Sequence, residues 1–280
     1  MRTTLQWFRK RFYFTQMKRD TETAFPIQAV LLCGGRGTRL NMLYPDRPKA
    51  LAPVAGRPFL EWQFDWLARA GVTRIHLAAG HLAAQLENWA AASGRAELTV
   101  SIEPQPLGTG GGLKFVEPYL RGDPFLVLNG DSLMPGLDIA ALLTAHRDTH
   151  APVTLAIAPI ENAGRYGTVE AGADGVITAF REKASCAEGW INGGVYVVSR
   201  AVLDLIPAGQ TLSLETDIFP GFVAERRLRA FRGHLVKYRH LALQDQVRVA
   251  LVKADDKNVI SAACFGGIQI NAPNQEAEDQ

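Results

Sequence analysis

A strand-like apolar run that leads directly into a glycine-rich turn is the feature that most constrains this chain. Residues 29–32 are all apolar, and three glycines follow, Gly34, Gly35 and Gly37, with Arg39 and Lys49 among the cations of the next 17 or so positions. Backbone N–H groups of glycine can approach a polyphosphate where a Cβ atom would collide with it, and fixed cations neutralise the phosphate oxygens. The stretch therefore predicts a phosphate-binding loop at the end of a buried strand.

Two common phosphate-binding motifs fit this loop poorly. A Walker A loop needs Lys and Ser or Thr directly after its last glycine, but Thr38 and Arg39 follow Gly37. A dinucleotide-binding fingerprint that starts at Gly35 would place Leu40 where its third glycine belongs. The loop is therefore expected to serve another phosphate chemistry.

Composition excludes several classes of protein. The 280 residues are 47% hydrophobic and 21% charged, which is typical of a globular protein. The formal charge is +2, but residues 1–24 carry +4, so the rest carries −2 and offers no basic stripe for nucleic acid. No apolar run reaches about 18 residues, so stable membrane insertion is not expected. The three cysteines lack metal-type spacing, which predicts reduced thiols and a cytoplasmic location, with Cys33 a small buried residue.

The chain is predicted to have three parts. Residues 1–24 are a basic, aromatic extension without a secretory signal, expected to be poorly ordered, with a weak surface-binding arm as the alternative. Residues 25–234 form the domain, and residues 235–280 are a divergent tail.

Hydrophobic periodicity predicts alternating strands and helices. Strands are expected at 27–32, 74–79, 98–102, 125–128, 153–158, 167–170, 176–181, 193–199, 247–252 and 259–267. Helices are expected at 58–70, 82–92, 113–120, 139–147, 201–206 and 214–226. This alternation of strands and helices predicts an α/β, Rossmann-like fold with a mixed, mainly parallel sheet and helices on both faces. Ligands of such sheets bind beyond the carboxyl ends of the strands.

Six sequence blocks, in order, resemble the sugar-1-phosphate nucleotidyltransferases, and among these the D-glycero-D-manno-heptose 1-phosphate guanylyltransferases most. Gly-Gly-x-Gly-Thr-Arg-Leu begins at Gly34, and Asn-Gly-Asp-Ser begins at Asn129. The other blocks are residues 48–58, 103–111, 165–167 with 180–183, and 191–196. The resemblance covers about residues 27–232 and implies the nucleotide-diphospho-sugar transferase fold.

The reaction implied by this resemblance is transfer of a nucleotidyl group to a sugar 1-phosphate, with release of pyrophosphate. GMP from GTP and D-glycero-α-D-manno-heptose 1-phosphate are the favoured substrates, for surface polysaccharide synthesis. Mannose, glucose or N-acetylmuramate 1-phosphate with another nucleoside triphosphate are the alternatives. A phosphate monoester has a second pKa of about 6, so the attacking oxygen needs no general base. The protein must instead hold two anions in line and stabilise developing charge.

Site residues follow from the matching positions of the family. The catalytic residues would be Arg39, Lys49 and Asp131, with Asp131 binding Mg²⁺. Nucleotide-binding residues would be Leu32, Gly34, Gly35, Gly37, Thr38, Glu103, Gly108 and Thr109. Sugar-phosphate-binding residues would be Gly167, Glu182, Lys183, Asn192 and Gly193. Taken alone, a residue such as Asp131 is more often a turn residue or a helix cap. The sequence leaves the oligomeric state open, a homo-oligomer included.

The chain departs from the family near its end. Relatives carry a second metal-binding aspartate in a late aromatic-x-Asp-x-Gly segment, whereas residues 235–239 contain no Asp. Two hypotheses follow: an enzyme that tolerates or replaces this residue, and a nucleotide- or sugar-phosphate-binding homologue without turnover.

Overall fold

The computed structural model of the chain describes residues 27–35, 46–54, 56–134, 136–161, 168–181, 188–232, 238–240 and 248–252. The predicted extension 1–24 and the predicted strand 259–267 lie outside these residues.

The first half alternates strands and helices. Its elements are β1 (Gln28–Cys33), β2 (Pro53–Val54), β3 (Arg57–Pro58), α1 (Phe59–Arg69), β4 (Arg74–Ala79), α2 (Ala83–Ala92), β5 (Leu98–Ile102), α3 (Gly108–Phe115) and β6 (Phe125–Asn129). Short 3-10 turns at Lys49–Leu51 and Glu117–Tyr119 join them.

The second half is richer in strands. Its elements are β7 (Ser132–Leu133), α4 (Ile139–Thr149), β8 (Val153–Glu161), β9 (Thr168–Ala171), β10 (Ile177–Arg181), β11 (Glu188–Val198), α5 (Phe219–Ala224), β12 (Leu228–Phe231), β13 (Tyr238–His240) and β14 (Arg248–Val252). A 3-10 segment at Arg200–Leu205 and a π-helical turn at Leu214–Ile218 precede α5.

Most of the strands form one mixed sheet in the order β5-β4-β1-β6-β11-β8. The first four of these run parallel, and β11 lies antiparallel between β6 and β8. Parallel strands bring their carboxyl ends to one edge of a sheet. That edge therefore collects the residues that follow β1, β4, β5 and β6: Gly34, Gly80, Glu103 and Gly130.

Helices cover both faces of this sheet. Successive side chains of a strand point to opposite faces, and along β1 the buried Leu31 packs with α1, α2 and α4, whereas the buried Val30 packs with α3 and α5. The predicted fold class, a mixed and mainly parallel sheet between two helical layers, is confirmed.

Helix α1 illustrates how the pattern specifies its element. Leu60, Phe64 and Leu67 recur at helical spacing and are buried. The helix stops at Gly71, which takes φ +77° and donates its N–H to the Ala68 carbonyl at 3.0 Å. A left-handed residue after the last turn is the usual glycine stop, so the predicted range 58–70 is nearly the observed one.

The predicted helix at 113–120 is only partly right, because α3 starts at Gly108 and ends at Phe115, and a 3-10 turn at Glu117–Tyr119 follows it. The prediction treated the glycines as a turn, since glycine costs about 1 kcal/mol in a helix interior. Here they allow close packing: the Gly110 N–H donates to the Leu212 carbonyl at 2.7 Å, and a Cβ on Gly110 would lie only 3.1 Å from that oxygen. Tertiary contact outweighs local propensity.

Two further helix predictions were only partly right. The range 201–206 is a 3-10 segment, and 214–226 divides into the π-helical turn and the short helix α5. Pro220 lies in the first turn of α5, where its missing N–H costs little.

The residues beyond 234 add backbone pairing to the sheet. The predicted strand 247–252 is confirmed as β14, which pairs in parallel with β7 at Arg248 and Ser132. β13 pairs with β14 and, at Tyr238, with Ile160 of β8. Part of the predicted tail thus runs beside the turn that carries Asp131, while the domain boundary at 234 stays a prediction.

Candidate functional site

A cavity of about 460 Å³ lies at the carboxyl edge of the parallel strands. The turns after β1, β5 and β6 line it, together with the 3-10 turn that begins at Lys49. Eight of the predicted site residues are among its lining: Leu32, Gly34, Gly35, Lys49, Glu103, Gly108, Thr109 and Asp131. The structure thus brings six of the eight predicted nucleotide residues and the predicted metal ligand together in one place.

Two other predicted site residues that the structure describes lie outside this lining. Asn192 and Gly193 are described and lie on β11 outside it. Six predictions fall outside the described residues and stay predictions: Gly37, Thr38, Arg39, Gly167, Glu182 and Lys183.

Three strand ends meet at Gly34, one through a backbone contact and one through the Glu103 side chain. The Gly34 carbonyl accepts the N–H of His81 at 3.2 Å, and a Cβ on Gly80 would lie 2.8 Å from that carbonyl oxygen. A Cβ on Gly34 itself would lie 2.9 Å from Glu103 Oε1. Real Cβ atoms do not approach other atoms so closely, so Gly80, which faces backbone atoms, requires glycine on grounds of space alone, whereas a Cβ on Gly34 would displace the Glu103 carboxylate.

Glu103 places an acceptor at one wall of the cavity. Its backbone N–H extends the sheet by donating to the Ala79 carbonyl at 2.8 Å, and its Oε2 accepts the Leu107 N–H at 3.2 Å. Burial raises the pKa of this carboxyl, and the hydrogen bond from Leu107 acts in the opposite direction. An ionised carboxylate only accepts hydrogen bonds, so this wall suits a ligand group with N–H donors.

Lys49 and Asp131 form an ion pair at the other wall. Lys49 Nζ lies against Asp131 Oδ2, and the two side chains are 29% and 26% exposed. Both line the cavity, so a phosphate can reach the lysine and a cation can reach the carboxylate. Among the described residues that line the cavity, this pair is the one point where opposite charges meet an open volume.

Gln63, to which the sequence assigned no role, holds the turn that carries Asp131. Its side chain is fully buried in α1, and Nε2 donates to the carbonyls of Asn129 at 3.0 Å and Ser132 at 2.7 Å. The two bonds bracket Asp131 along the chain. A polar residue inside the apolar stripe of a helix was the available signal.

Cys33 is a free, buried thiol, as predicted. Burial raises its pKa to about 12, and the negative charges of Asp131 and Glu103 add to the effect. A thiolate is the nucleophilic form of cysteine, so this side chain stays an inert neighbour of the site.

Thr109 connects the cavity to a residue that sequence reasoning also missed. Its hydroxyl donates to Glu215 Oε2 at 2.8 Å and accepts the Leu214 N–H at 2.8 Å. Thr109 and Glu215 are 106 residues apart in sequence, and no local pattern signals such a contact.

The described residues contain no group of three or more His, Cys, Asp and Glu side chains that could hold a metal ion. A metal in this cavity would therefore depend on Asp131 together with oxygen atoms of a ligand. No helix in the described part of the chain is long and apolar enough to cross a membrane.

A family model supports the same reading of the chain. The model of the nucleotidyl transferase family matches residues 28–232, which is most of the chain and includes every described residue that lines the cavity.

Two similar proteins are sugar-phosphate guanylyltransferases by name. The mannose-1-phosphate guanylyltransferase of Mycobacterium tuberculosis is 37% identical over 202 residues, which are 71% of this chain and 56% of that protein. The D-glycero-alpha-D-manno-heptose 1-phosphate guanylyltransferase of Aneurinibacillus thermoaerophilus is 31% identical over 206 residues, which are 73% of this chain and 89% of that protein. The chain thus spans about half of the first relative and most of the second.

The fold is also similar to a solved structure, HddC from Yersinia pseudotuberculosis. The TM-score is 0.67 at 29% sequence identity, over 74% of this chain and 90% of that one. A second structure of HddC, complexed with GMP-PN, has a TM-score of 0.65.

Proposed function

The chain belongs to the nucleotidyl transferase family, and from that premise we propose that it transfers GMP from GTP to a sugar 1-phosphate, with D-glycero-α-D-manno-heptose 1-phosphate as the sugar. Support comes from the heptose 1-phosphate guanylyltransferase that this chain matches over 89% of its length.

The observation that carries the proposal is the composition of one cavity. It joins a glycine turn, a lysine, an aspartate and an acceptor wall. These are the groups that a nucleotidyl transfer needs, because the reaction must bring two anions together and stabilise the charge that develops.

In the proposed mechanism, an oxygen of the sugar phosphate attacks the α-phosphorus of GTP, and pyrophosphate leaves from the opposite side. The attacking phosphate already carries nearly two charges at neutral pH, so proton abstraction is unnecessary. Lys49 binds the α-phosphate, where a compact ammonium can follow charge into the transition state. Arg39 neutralises the leaving phosphates.

The donor set fits Mg²⁺. This ion keeps several waters and binds proteins through one or two carboxylates plus substrate phosphates, and Asp131 offers one partly exposed carboxylate at the cavity. When bound, Mg²⁺ would supply positive charge to the phosphates. Asp131 would hold the ion, and Lys49, which lines the same cavity, would bind the α-phosphate.

The acceptor wall at Glu103 supports guanine as the base. Guanine presents two adjacent N–H donors on its Watson–Crick edge, and a carboxylate accepts both without reorganisation. Gly108 and Thr109 line the same cavity. Asn192 and Gly193, with Gly167, Glu182 and Lys183, would bind the sugar phosphate.

A second candidate is a homologue that binds substrates without turnover. One observation favours it: the family match ends at residue 232, directly before the segment in which the second metal-binding aspartate is missing. A site with Asp131 alone would hold its metal more weakly.

A substrate screen tests both candidates. Purified full-length protein with Mg²⁺ is mixed with each nucleoside triphosphate and with heptose, mannose, glucose or N-acetylmuramate 1-phosphate, and pyrophosphate release is measured. We expect the fastest release with GTP and the heptose. If release were fastest with GTP and mannose 1-phosphate, mannose would replace heptose as the proposed sugar. Binding without release would favour the second candidate.

The proposal also covers the cellular location, the domain limits and the oligomeric state. GTP and sugar phosphates are small, diffusible cytoplasmic compounds, so we place the activity in the cytoplasm. The domain limits 25–234, the extension 1–24 and the tail 235–280 are kept from the sequence, and a homo-oligomer is one of the states that size measurements would distinguish.

A further inference from the structure

Glu215 is the centre of a group of hydrogen bonds behind the cavity, which we call the hydroxyl network: Thr109, Asn192, Tyr196, Ser213 and Glu215. Its carboxylate accepts three hydroxyls: Tyr196 at 2.8 Å on Oε1, and Thr109 at 2.8 Å and Ser213 at 2.9 Å on Oε2. Two members of the network, Thr109 and Asn192, are predicted site residues. They lie on α3 and β11, whereas Glu215 lies in the π-helical turn.

An irregularity in β11 brings Asn192 into this network. Asn192 pairs with Ile157 of β8, whereas Tyr196 pairs with Leu155, so four steps along β11 face only two along β8. In a regular strand, residues i and i+4 lie about 13 Å apart. Here the bulge, with Gly194 at φ +69°, lets Asn192 Nδ2 donate to Tyr196 Oη at 2.9 Å.

The Glu215 carboxylate determines the direction of its hydrogen bonds with the three hydroxyls. A carboxylate has no proton to give, so each of its three hydroxyl partners must point its single proton toward it. Burial raises the pKa of Tyr196 well above its usual value, and the charge of Glu215 raises it further, so the phenol keeps its proton.

The fixed directions of the hydroxyl protons have one consequence on each substrate side. Thr109 has committed its proton to Glu215 and one lone pair to the Leu214 N–H, so it offers only a lone pair to the cavity. Tyr196 must accept from the amide nitrogen of Asn192, and Asn192 Oδ1 accepts the Gly194 N–H at 2.8 Å. The remaining amide N–H of Asn192 is therefore a donor.

We propose that Glu215 is a positioning residue that sets opposite hydrogen-bond polarities on the two substrate sides. Thr109 accepts a hydrogen bond from an N–H or O–H group of the nucleotide, and Asn192 donates one to an oxygen of the sugar phosphate. This inference rests on the proposed function, because it takes the nucleotide to bind at Thr109 and the sugar phosphate near Asn192.

The test compares Glu215→Gln with Asp217→Asn. Both substitutions remove one negative charge from the same turn, but Asp217 accepts only the Ser213 N–H, at 2.7 Å. The amide of Gln carries two protons where the carboxylate only accepted, so one hydroxyl partner must turn round. With GTP and Mg²⁺ alone, calorimetry should give about tenfold weaker binding for Glu215→Gln and a change of less than twofold for Asp217→Asn.

A double-mutant cycle separates positioning from a general structural effect. If Glu215 acts on the nucleotide through Thr109, Glu215→Gln should add little to the loss caused by Thr109→Val. In steady-state assays of Glu215→Gln, the KM for each substrate should rise about tenfold while kcat stays within threefold, because the reacting atoms are not contacted. Tyr196→Phe should raise the KM for the sugar phosphate and leave GTP affinity within twofold, which also tests the proposal if Glu215→Gln does not fold.

Several results would overturn the inference. Equal weakening by Asp217→Asn would mean that net charge alone matters, and full additivity with Thr109→Val would mean that Glu215 acts elsewhere. Normal GTP binding by Glu215→Gln together with unchanged sugar-phosphate KM for Tyr196→Phe would remove the positioning role while leaving the proposed function intact. Failure of the unmodified protein to bind GTP would instead remove the proposed function, and this inference with it.

Discussion

The two sides of the cavity are built from different kinds of contact. On one side, which we call the glycine edge, Gly34, Gly80, Glu103 and Gly130 follow parallel strands. A Cβ on Gly80 would collide with the backbone of Gly34, and one on Gly130 would collide with the Leu32 carbonyl. On the other side, the hydroxyl network joins residues of α3, β11 and the π-helical turn through side-chain protons.

This difference predicts different sensitivities. The glycine edge depends on shape, so a single added methyl group should damage it even when no polarity changes. The hydroxyl network depends on the direction of protons, so a substitution that keeps size but changes a donor into an acceptor should damage it. Substitutions at Asp131, which lies between the two sides, and on each side separately test this difference.

The largest effect is expected between the two sides, at Asp131. Asp131→Asn keeps the size of the side chain but removes the charge that holds Lys49 and would bind Mg²⁺. We expect kcat for pyrophosphate release to fall about 1000-fold, the scale seen when one preorganised electrostatic group is lost. Asp204→Asn, an exposed position outside the cavity lining, is the matched control, and equal activity of the two variants would contradict the assignment.

Acid should destabilise both halves of the molecule, because each contains a buried histidine. His76 lies beside Thr99 and Ser101 in the parallel half, and His146 lies beside Thr154 and Ser199 in the other. Burial lowers the pKa of each to about 4. Below the unfolded pKa of about 6.5, the unfolded chain takes up protons that the folded chain refuses, so stability falls as the pH falls.

The loss for His76 should reach up to about 3 kcal/mol of unfolding free energy by pH 4, with a loss of the same sign from His146. Urea unfolding between pH 7 and pH 4 measures it. His76→Gln should flatten the pH dependence, whereas His150→Asn, at an exposed helix end, should leave it unchanged. A pH-independent stability over this range would refute the assignment of these buried, neutral rings.

The glycine edge should respond to one methyl group. In Gly80→Ala the new Cβ would lie 2.8 Å from the Gly34 carbonyl oxygen, a backbone atom that cannot turn away. We expect a loss of about 2 kcal/mol of stability, in the range for overpacked sites, and weaker GTP binding. Gly221→Ala in α5, where nothing lies within 4 Å of the added carbon, should raise stability by about 0.5–1 kcal/mol. If the two variants melt alike, the close packing of the strand ends is not what requires glycine.

The smallest effect is expected from Glu103→Gln, which tests polarity on the side that depends mainly on shape. The amide can accept only one of the two guanine donors, so the preference for GTP over UTP, as a ratio of kcat/KM values, should fall about tenfold. Glu97→Gln, an exposed glutamate paired with Arg74, is the control and should keep the preference. An unchanged ratio in Glu103→Gln would place the base elsewhere.

The glycine edge was largely predictable, and the reason is local. Gly34, Glu103 and Asp131 each follow a predicted strand within a few residues. The hydrophobic periodicity and the residues that end each strand therefore located them, and the parallel topology brought them together. The prediction failed at α3, where local propensity argued against a helix through Gly110 and packing against residue 212 required one.

The hydroxyl network was not predictable in the same way. Thr109 and Glu215 meet across 106 residues, and the contact of Asn192 with Tyr196 exists only because β11 bulges. Gln63 likewise looked like one polar residue in an apolar helix until its two carbonyl partners were placed. Such contacts depend on tertiary geometry, which residue spacing does not encode.

Nucleotidyl transfer in this cavity can be decided by the rate of pyrophosphate release from the full-length chain with Mg²⁺ and GTP, in the presence and absence of D-glycero-α-D-manno-heptose 1-phosphate. We expect release that depends on the sugar phosphate and is lost in Asp131→Asn. GTP binding without any release, for this and every other sugar 1-phosphate tried, would contradict the claim that this cavity performs nucleotidyl transfer.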